Sequence, residues 1–341
     1  MAMNKNISLG KIFPPTFRLV AMPLVAVLLI SLLMSSSSHK TTIFIIGDST
    51  AAEKGNYRNY PERGWGMVFQ GCFDDQIIVD NHAVNGRSSK SFLDEGRWQK
   101  ILDKMQPGDY VIIQFGHNDE KKLPDRYTIP GGTFDAHLAK YVNETRQKGG
   151  IPVLMNSVVR RCYYSADLEN DDDEKLRNKV YEGDEPINSD TLIDTHGAYV
   201  VAPRLVARRM SVPFVDATKI THDIETSLGI GGSRELHMWF RPGENPQVPK
   251  GKQDNTHYNV YGAHVVANAL ADALAEQVPG LKKHVRHYDY VVSAEGRGNY
   301  MTLQEAVDAV PANGKKAIIR ILDGDWQKPL RTEGKKIKYV K

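Results

Sequence analysis

Two short stretches hold the residue types that nucleophilic acyl transfer requires. Gly47, Asp48, Ser49 and Thr50 follow an apolar run, and Asp254 and His257 stand three positions apart far downstream. A serine hydroxyl is a weak nucleophile until a base within hydrogen-bond reach takes its proton. Among the 11 histidines His257 is the candidate base, because Asp254 precedes it by one turn of chain. From that distance a carboxylate can hold the ring's tautomer and stabilise the imidazolium. The pair is expected in a loop rich in Gly, Pro and Asn, with a helix starting just beyond it.

Acyl transfer also needs donors for the oxyanion. Asn85, Gly86 and Arg87 follow a second apolar run, where the backbone N–H of Gly86 can approach without a side chain in the way. Gly116, His117, Asn118 and Asp119 follow a third, and the Asn118 amide can point to the same edge. Taken singly, each residue has an ordinary structural reading. Ser49 would be a helix N-cap, Gly86 and Asn118 turn residues, Asp254 a cap or surface carboxylate, and His257 a structural histidine. Their joint placement, each at the end of its own strand and in the right order, argues for chemistry.

The elements that must position them alternate along the chain. Strands are expected over Thr42–Ile46, Gln76–Asn81, Tyr110–Phe115, Pro152–Asn156 and Pro213–Asp216. All are short and nearly continuous in hydrophobicity, as parallel strands covered on both faces should be. Amphipathic helical patterns lie between them at Trp65–Phe73, Ser91–Met105, Phe134–Gln147, Tyr199–Met210 and Ile220–Leu228, and a final helix spans Tyr261–Val278. Strand-helix alternation of this kind predicts a doubly wound α/β/α sandwich, in which ligands bind beyond the carboxyl ends of the strands.

Composition sets the bounds. At 341 residues, 41% hydrophobic and 25% charged, the chain can build a substantial core. Lys5, Lys11 and Arg18 precede an uncharged apolar run, Leu19–Met34, and the serines 35–38. Residues 1–38 therefore read as an export signal peptide or an N-terminal anchor, and the protein as periplasmic or extracellular. The net charge of +3 comprises +3 over residues 1–38, +6 over 281–341 and hence −6 over 39–280. An acidic main domain excludes nucleic acid as a partner. Cys72 and Cys162 match no zinc or redox motif and are open to pairing or to remaining separate thiols. Tyr163–Asp194, which includes the acidic run Asp171–Glu174, reads as an inserted surface loop without the spacing of a calcium loop.

The four blocks resemble the SGNH or GDSL hydrolases, named for a Ser, Gly, Asn and His found here at Ser49, Gly86, Asn118 and His257. Within that superfamily the sequence is most similar to the rhamnogalacturonan acetylesterases of carbohydrate esterase family twelve. The similarity rests on Gly47–Ala51, on QFGHND at Gln114–Asp119, on Val159-Arg160-Arg161 and on Met238–His257. It covers roughly residues 41 to 278 and implies a three-layer sandwich with a flavodoxin-like five-stranded parallel sheet. It further implies deacetylation of pectic rhamnogalacturonan, with Ser49 as nucleophile, His257 as base and Asp254 as its orienter. The oxyanion hole would be Ser49 N–H, Gly86 and Asn118, with no metal or cofactor. The acidic insert after Cys162 departs from the family and bears on fine specificity.

Pectic backbones carry galacturonate, so an acidic domain must place cations locally. Arg87, Arg160 and Arg161 lie at or just past strand ends, and His117 and Trp239 are further candidates for lining a sugar site. Solvated surface, ion pairing or core packing account for the same residues equally well. An acetylxylan esterase or a short-chain lipase-like esterase of the superfamily is the alternative function. A carbohydrate-binding protein with a retired site is a third.

The composition turns basic from about Lys282. Gly298–Pro311 (GNYMTLQEAVDAVP) and Ala317–Trp326 (AIIRILDGDW) resemble the opening of a pectin methylesterase, the first rungs of a parallel β-helix. That family's catalytic aspartates fall beyond Lys341, so no methylesterase activity is expected from this polypeptide. The expected divisions are 1–38, an esterase domain over 39–280, and a linker with an incomplete β-helix-like segment over 281–341. So few apolar residues are not expected to bury a self-sufficient core.

Overall fold

The computed structural model describes residues 40–164, 179–324, 332 and 334–341. The expected export signal, the run Asp171–Glu174, and Asp325 with Trp326 lie outside the described residues. Thr41 to Lys341 form one compact unit. Among the described residues no helix is long and apolar enough to cross a membrane.

Among the described residues the first six strands are β1 (Thr41–Gly47), β2 (Glu62–Arg63), β3 (Ile77–Asn81), β4 (Tyr110–Gln114), β5 (Ile151–Met155) and β6 (Phe214–Val215). Five of them make a sheet in the order β3-β1-β4-β5-β6, every pair of which is parallel. Successive side chains point to opposite faces of a strand, and each face of this sheet is buried. Ile43, Ile45, Ile112, Val153 and Met155 pack beneath Trp65, Phe69 and the helix Val260–Gln277. Phe44, Ile46, Val111, Ile113 and Leu154 pack beneath Phe92, Trp98, Phe134, Leu138, Tyr141 and Val206. The apolar runs lack a strict alternation because neither face meets water.

From β1 the chain passes first to β3 on one side and then to β4 on the other. That reversal opens a crevice at the carboxyl end of β1, where ligands bind in sheets of this kind. Ser49, Gly86 and Asn118 follow β1, β3 and β4 in turn, so all three sit at the switch.

The structure departs from the sequence expectations at three elements of the esterase domain, the helix expected over Trp65–Phe73 being one α-turn, Trp65–Val68, followed by a 3₁₀ turn, Phe69–Cys72. The single helix expected over Ser91–Met105 is two, Ser89–Asp94 and Arg97–Lys104, broken at Gly96, which is left-handed. The stretch carrying Asp254 and His257 is not a loop but a strand, β8 (Lys252–Asn259), antiparallel to β2 and to β7 (His237–Phe240). Its residues are polar, so periodicity could not mark it as a strand. Asn259 ends β8 and caps the next helix, accepting from Gly262 N at 3.0 Å.

The C-terminal segment pairs β9 (Tyr290–Val292), β10 (Lys316–Ile321) and β11 (Lys336–Val340) in a parallel sheet of order β11-β10-β9. The helix Leu303–Ala309 opens with a capping box of Thr302 and Glu305. Val292, Leu303, Ala306, Val307, Ile319 and Ile321 form a small core of this segment's own, more than its basic composition led one to expect. The β-helix expectation goes no further than the parallel pairing of these strands. Phe73 bridges Val285, Asp74 N donates to His284 O at 2.9 Å, and Arg63 Nε donates to Gly296 O at 2.9 Å.

Candidate active site

Ser49 follows β1 by two residues, in a turn that Asp48 builds. The Asp48 Oδ1 accepts from Thr50 N at 2.9 Å and from Thr50 Oγ1 at 2.7 Å, closing an Asx turn around Ser49. Gly47 permits the close approach of β1 to β4, because a Cβ there would lie 2.7 Å from Gln114 O. Ser49 Oγ then stands 3.0 Å from His257 Nε2, and His257 Nδ1 stands 2.8 Å from Asp254 Oδ2. All three side chains are buried.

The strand β8 presents this pair through an irregularity. His237 is opposite Tyr258 and Met238 is opposite Asp254, so Asn255, Thr256 and His257 bulge from the ladder with no counterparts on β7. The bulge is closed by the same carboxylate that faces the ring. Asp254 Oδ1 accepts from Thr256 N and His257 N, each at 3.0 Å. Burial works against the ionised Asp254, but the His257 ring beside it and the hydrogen bonds it accepts outweigh burial and hold the carboxyl below the ordinary 3.8.

The turn after β3 continues along β1: His82 N donates to Ile45 O at 2.8 Å and Val84 N to Gly47 O at 3.0 Å. That course delivers Gly86 beside Ser49. Gly86 has φ of 75°, and nothing but the Arg126 side chain lies within 4 Å of where a Cβ would be. Its need for glycine is therefore the sign of φ rather than crowding. Asn118 Nδ2 donates to Arg87 O at 3.2 Å, tying the β4 turn to the β3 turn. Asp119 reinforces the tie, accepting from Ser89 N, Ser89 Oγ and Thr128 Oγ1. Burial pushes the Asp119 carboxyl up to about 7 in spite of those donors.

Lys54, which sequence reasoning missed, is buried among these turns. Its Nζ donates to Ser49 O at 2.7 Å and to Asn85 Oδ1 at 2.8 Å, and pairs with Glu62 at 2.7 Å. Glu62 belongs to β2, where it is opposite Asn259 of β8. One ammonium therefore joins the serine turn, the Gly86 turn and the sheet that carries His257. A lysine in a polar stretch gives no sign of this in sequence.

The five candidates for lining a sugar site differ in their surroundings, and two of them meet, Arg160 Nη2 donating to His117 O at 3.4 Å. Arg87 is part-exposed, with Nε 3.1 Å from Glu95 and Nη1 donating to Asn85 O. His117 is buried edge-on to His196, with ring centroids 4.3 Å apart. Burial, with the positive groups around it, pushes its pKa well below 6.5, so the ring is neutral. Arg160 pairs with Glu120 at 2.8 Å, and Glu120 also meets His196 Nδ1 at 2.9 Å. Arg161 is 1% exposed and holds the β8 bulge from below. Its N donates to Asn255 O at 2.9 Å, Nη1 to Asn255 Oδ1 and Glu185, Nε to Ser233 Oγ, and Nη2 to Ile230 O. Trp239 is buried on β7 opposite Gln253, under Arg234 at 4.4 Å and edge-on to Tyr181. Packing, not an open platform, accounts for Arg161 and Trp239. Cys72 and Cys162 are both free thiols, Cys72 buried.

The arrangement is a serine, an imidazole and a carboxylate in hydrogen-bonded series, with a glycine turn and an amide beside the serine. A sequence-family model for the GDSL-like lipase/acylhydrolase family matches residues 45–265.

The chain belongs to that family.

This GDSL-family esterase is 34% identical over 255 residues to the rhamnogalacturonan acetylesterase RhgT of Bacillus subtilis (strain 168), covering 75% of this chain and 96% of RhgT. It is 30% identical over 255 residues to a rhamnogalacturonan acetylesterase of Emericella nidulans, covering 73% and 91% respectively. Among solved structures, that of the Bacillus subtilis protein YxiM superposes with a TM-score of 0.53 at 21% identity, over 70% of this chain and 57% of that one. That likeness is one of fold: an α/β sandwich around a five-stranded parallel sheet.

Proposed function

We propose that this esterase is an exported enzyme that removes O-acetyl groups from pectic rhamnogalacturonan through a Ser-His-Asp acyl-enzyme. The observation that carries the reading is the unbroken series from Ser49 Oγ through His257 to Asp254, at 3.0 and 2.8 Å. His257 Nε2 takes the Ser49 proton as Oγ attacks the acetyl carbonyl, and Asp254 holds the imidazolium so formed. The oxyanion is met by the backbone N–H groups of Ser49 and Gly86 and by the Asn118 amide, donors held in place before the charge appears. The tetrahedral intermediate collapses as His257 returns the proton to the sugar oxygen, leaving acetyl on Ser49. Water, deprotonated by His257, then releases acetate.

The acetylated pectic substrate is supported by the names of the acetylesterases at 34% and 30% identity. Export is supported by the basic and apolar pattern of residues 1–38. The C-terminal segment's likeness to a pectin methylesterase opening belongs to the same reading, as a second pectin-related unit. Acetate release from acetylated rhamnogalacturonan, acetylated xylan and a short-chain lipid ester tests the substrate. The expected order puts rhamnogalacturonan first. Equal or greater release from xylan or the lipid ester would replace the reading with one of those activities.

A further inference from the structure

We infer that His117 and His196 are the sugar-recognition pair of this site, hydrogen-bonding free hydroxyls that neighbour the ester on the substrate's ring, a role that rests on the reading of the substrate as an acetylated polysaccharide.

His117 stands between Gly116 and the proposed oxyanion donor Asn118, in the turn after β4. Its ring packs edge-on against His196, with centroids 4.3 Å apart. His117 is 0% and His196 3% exposed, against 1% for both Ser49 and His257. A sugar that brings its ester to Ser49 therefore goes to the depth at which these rings lie. His257 is among the charged groups that press the His117 pKa down, so the recognition pair and the base share one neighbourhood.

Among the described residues, three ring nitrogens of the pair have no hydrogen-bond partner: Nδ1 and Nε2 of His117 and Nε2 of His196. The Oδ1 of Asn118, next along the chain, is in the same condition. Buried polar groups are as a rule hydrogen-bonded, and leaving one unmade is costly. Four such atoms on three neighbouring side chains at the carboxyl end of β4 mark a place that a polar ligand completes. The rings are meanwhile held by bonds that leave those nitrogens open. Glu120 Oε2 accepts from His196 Nδ1 at 2.9 Å, and Glu120 Oε1 accepts from Arg160 Nη1 at 2.8 Å. Arg160 Nη2 in turn donates to His117 O at 3.4 Å.

Protonation decides what the pair can hold. The neutral His117 ring offers one N–H and one lone pair. His196 points its Nδ1 proton at a carboxylate, which in the uncharged ring leaves Nε2 an acceptor. With Asn118 Oδ1, the open groups are thus three acceptors and one donor. A carboxylate or an acetyl carbonyl brings no proton to such a set. A hydroxyl both donates and accepts, and a sugar ring carries several side by side. Hydroxyls beside the ester, rather than the uronate carboxylate, are what these groups fit.

The test uses the full-length protein, wild type and the variants His117→Phe, His117→Gln and His196→Phe. Each is assayed for acetate release from acetylated rhamnogalacturonan and from the same polymer with its free hydroxyls propionylated, and for hydrolysis of 4-nitrophenyl acetate, which has no sugar. Phenylalanine keeps a ring in place and removes its nitrogens. For each Phe variant the ratio of kcat/KM on the native polymer to that on 4-nitrophenyl acetate is expected to fall about 10- to 100-fold, the effect of losing two hydrogen bonds to substrate. His117→Gln should recover part of it, because an amide also offers a donor and an acceptor. Propionylation should slow wild type about tenfold more than it slows His117→Phe. An unchanged ratio overturns the assignment, including the case in which both activities fall together, where the rings only support Asn118. Equal slowing of wild type and His117→Phe by propionylation also overturns it. Wild-type protein that hydrolyses 4-nitrophenyl acetate but leaves the native polymer acetylated overturns the substrate reading itself.

Discussion

At the scale of single residues, the site divides into groups that meet the reacting atoms and groups that hold those in place. Asn118 belongs to the first. Asn118→Ala should lower kcat about 10²–10³-fold with little change in KM, because an oxyanion donor acts only once charge has developed; steady-state acetate release checks it. Lys54 belongs to the second. Lys54→Met releases the Ser49 and Asn85 turns and should lower kcat about 10²-fold, the effect of misplacing donors by an ångström or so. It also takes from the buried Glu62 carboxylate the ammonium it meets at 2.7 Å, and so should lower stability. Adding Glu62→Gln should restore much of the stability in denaturant titrations and none of the kcat. Recovery of both together would make Lys54 a stability residue alone.

Asp119 makes a pH prediction. Its folded carboxyl sits at about 7, against an ordinary 3.8. Between those values the folded chain holds a proton that the unfolded chain has lost, so its contribution to stability is full below about 4 and declines as pH rises towards 7. Asp119→Asn carries no such proton. The difference in unfolding free energy between wild type and variant should therefore shift towards the variant from pH 4 to 7, and a pH-independent difference would contradict the assignment. Asp254 has the opposite sign: its carboxyl is held below 3.8, so its contribution is present above that value and is lost as pH falls through the folded pKa.

At the scale of elements, two glycines separate fold from function. Gly47→Ala pushes a methyl against Gln114 O, 2.7 Å away, and wedges β1 from β4, so it should destabilise the domain as well as spoil the site. Gly86→Ala meets only the Arg126 side chain, at ordinary contact distance, but forces φ of 75° on a residue with a Cβ, at about 1–2 kcal/mol. Its thermal unfolding should change less than that of Gly47→Ala while kcat falls, because the strained turn shifts its own N–H. The central strands were legible in sequence because burial on both faces leaves runs such as Ile43–Ile46 without polar breaks. Strand β8 was not, since Lys252, Gln253, Asp254, Tyr258 and Asn259 owe their extended form to partners on β7 and β2. The pairing of Ser49 with His257 was legible because each residue sits beside a recognisable boundary. Lys54 was not, because it is an ordinary surface residue type in a polar stretch, and its importance comes only from what the fold brings beside it.

At the scale of the whole molecule, the C-terminal segment is fastened to the turn region that feeds the site. Arg63, buried on β2, donates to Gly296 O, Tyr60 O, Glu62 O and Tyr57 O. Arg63→Ala leaves those carbonyls without their donor and should free the 294–298 turn, read out as faster proteolysis there and a lowered Tm. Equal protease resistance in wild type and variant would mean that the segment is held elsewhere. The acidic esterase domain and the basic C-terminal segment thus share structure as well as a chain.

The central claim is that Ser49, activated by His257, deacetylates a pectic polymer. The most direct measurement is acetate release from acetylated rhamnogalacturonan by wild type and by Ser49→Ala at equal concentration. Sustained release by wild type, with none above background from Ser49→Ala, is the predicted result. Release by Ser49→Ala at the wild-type rate would contradict the mechanism.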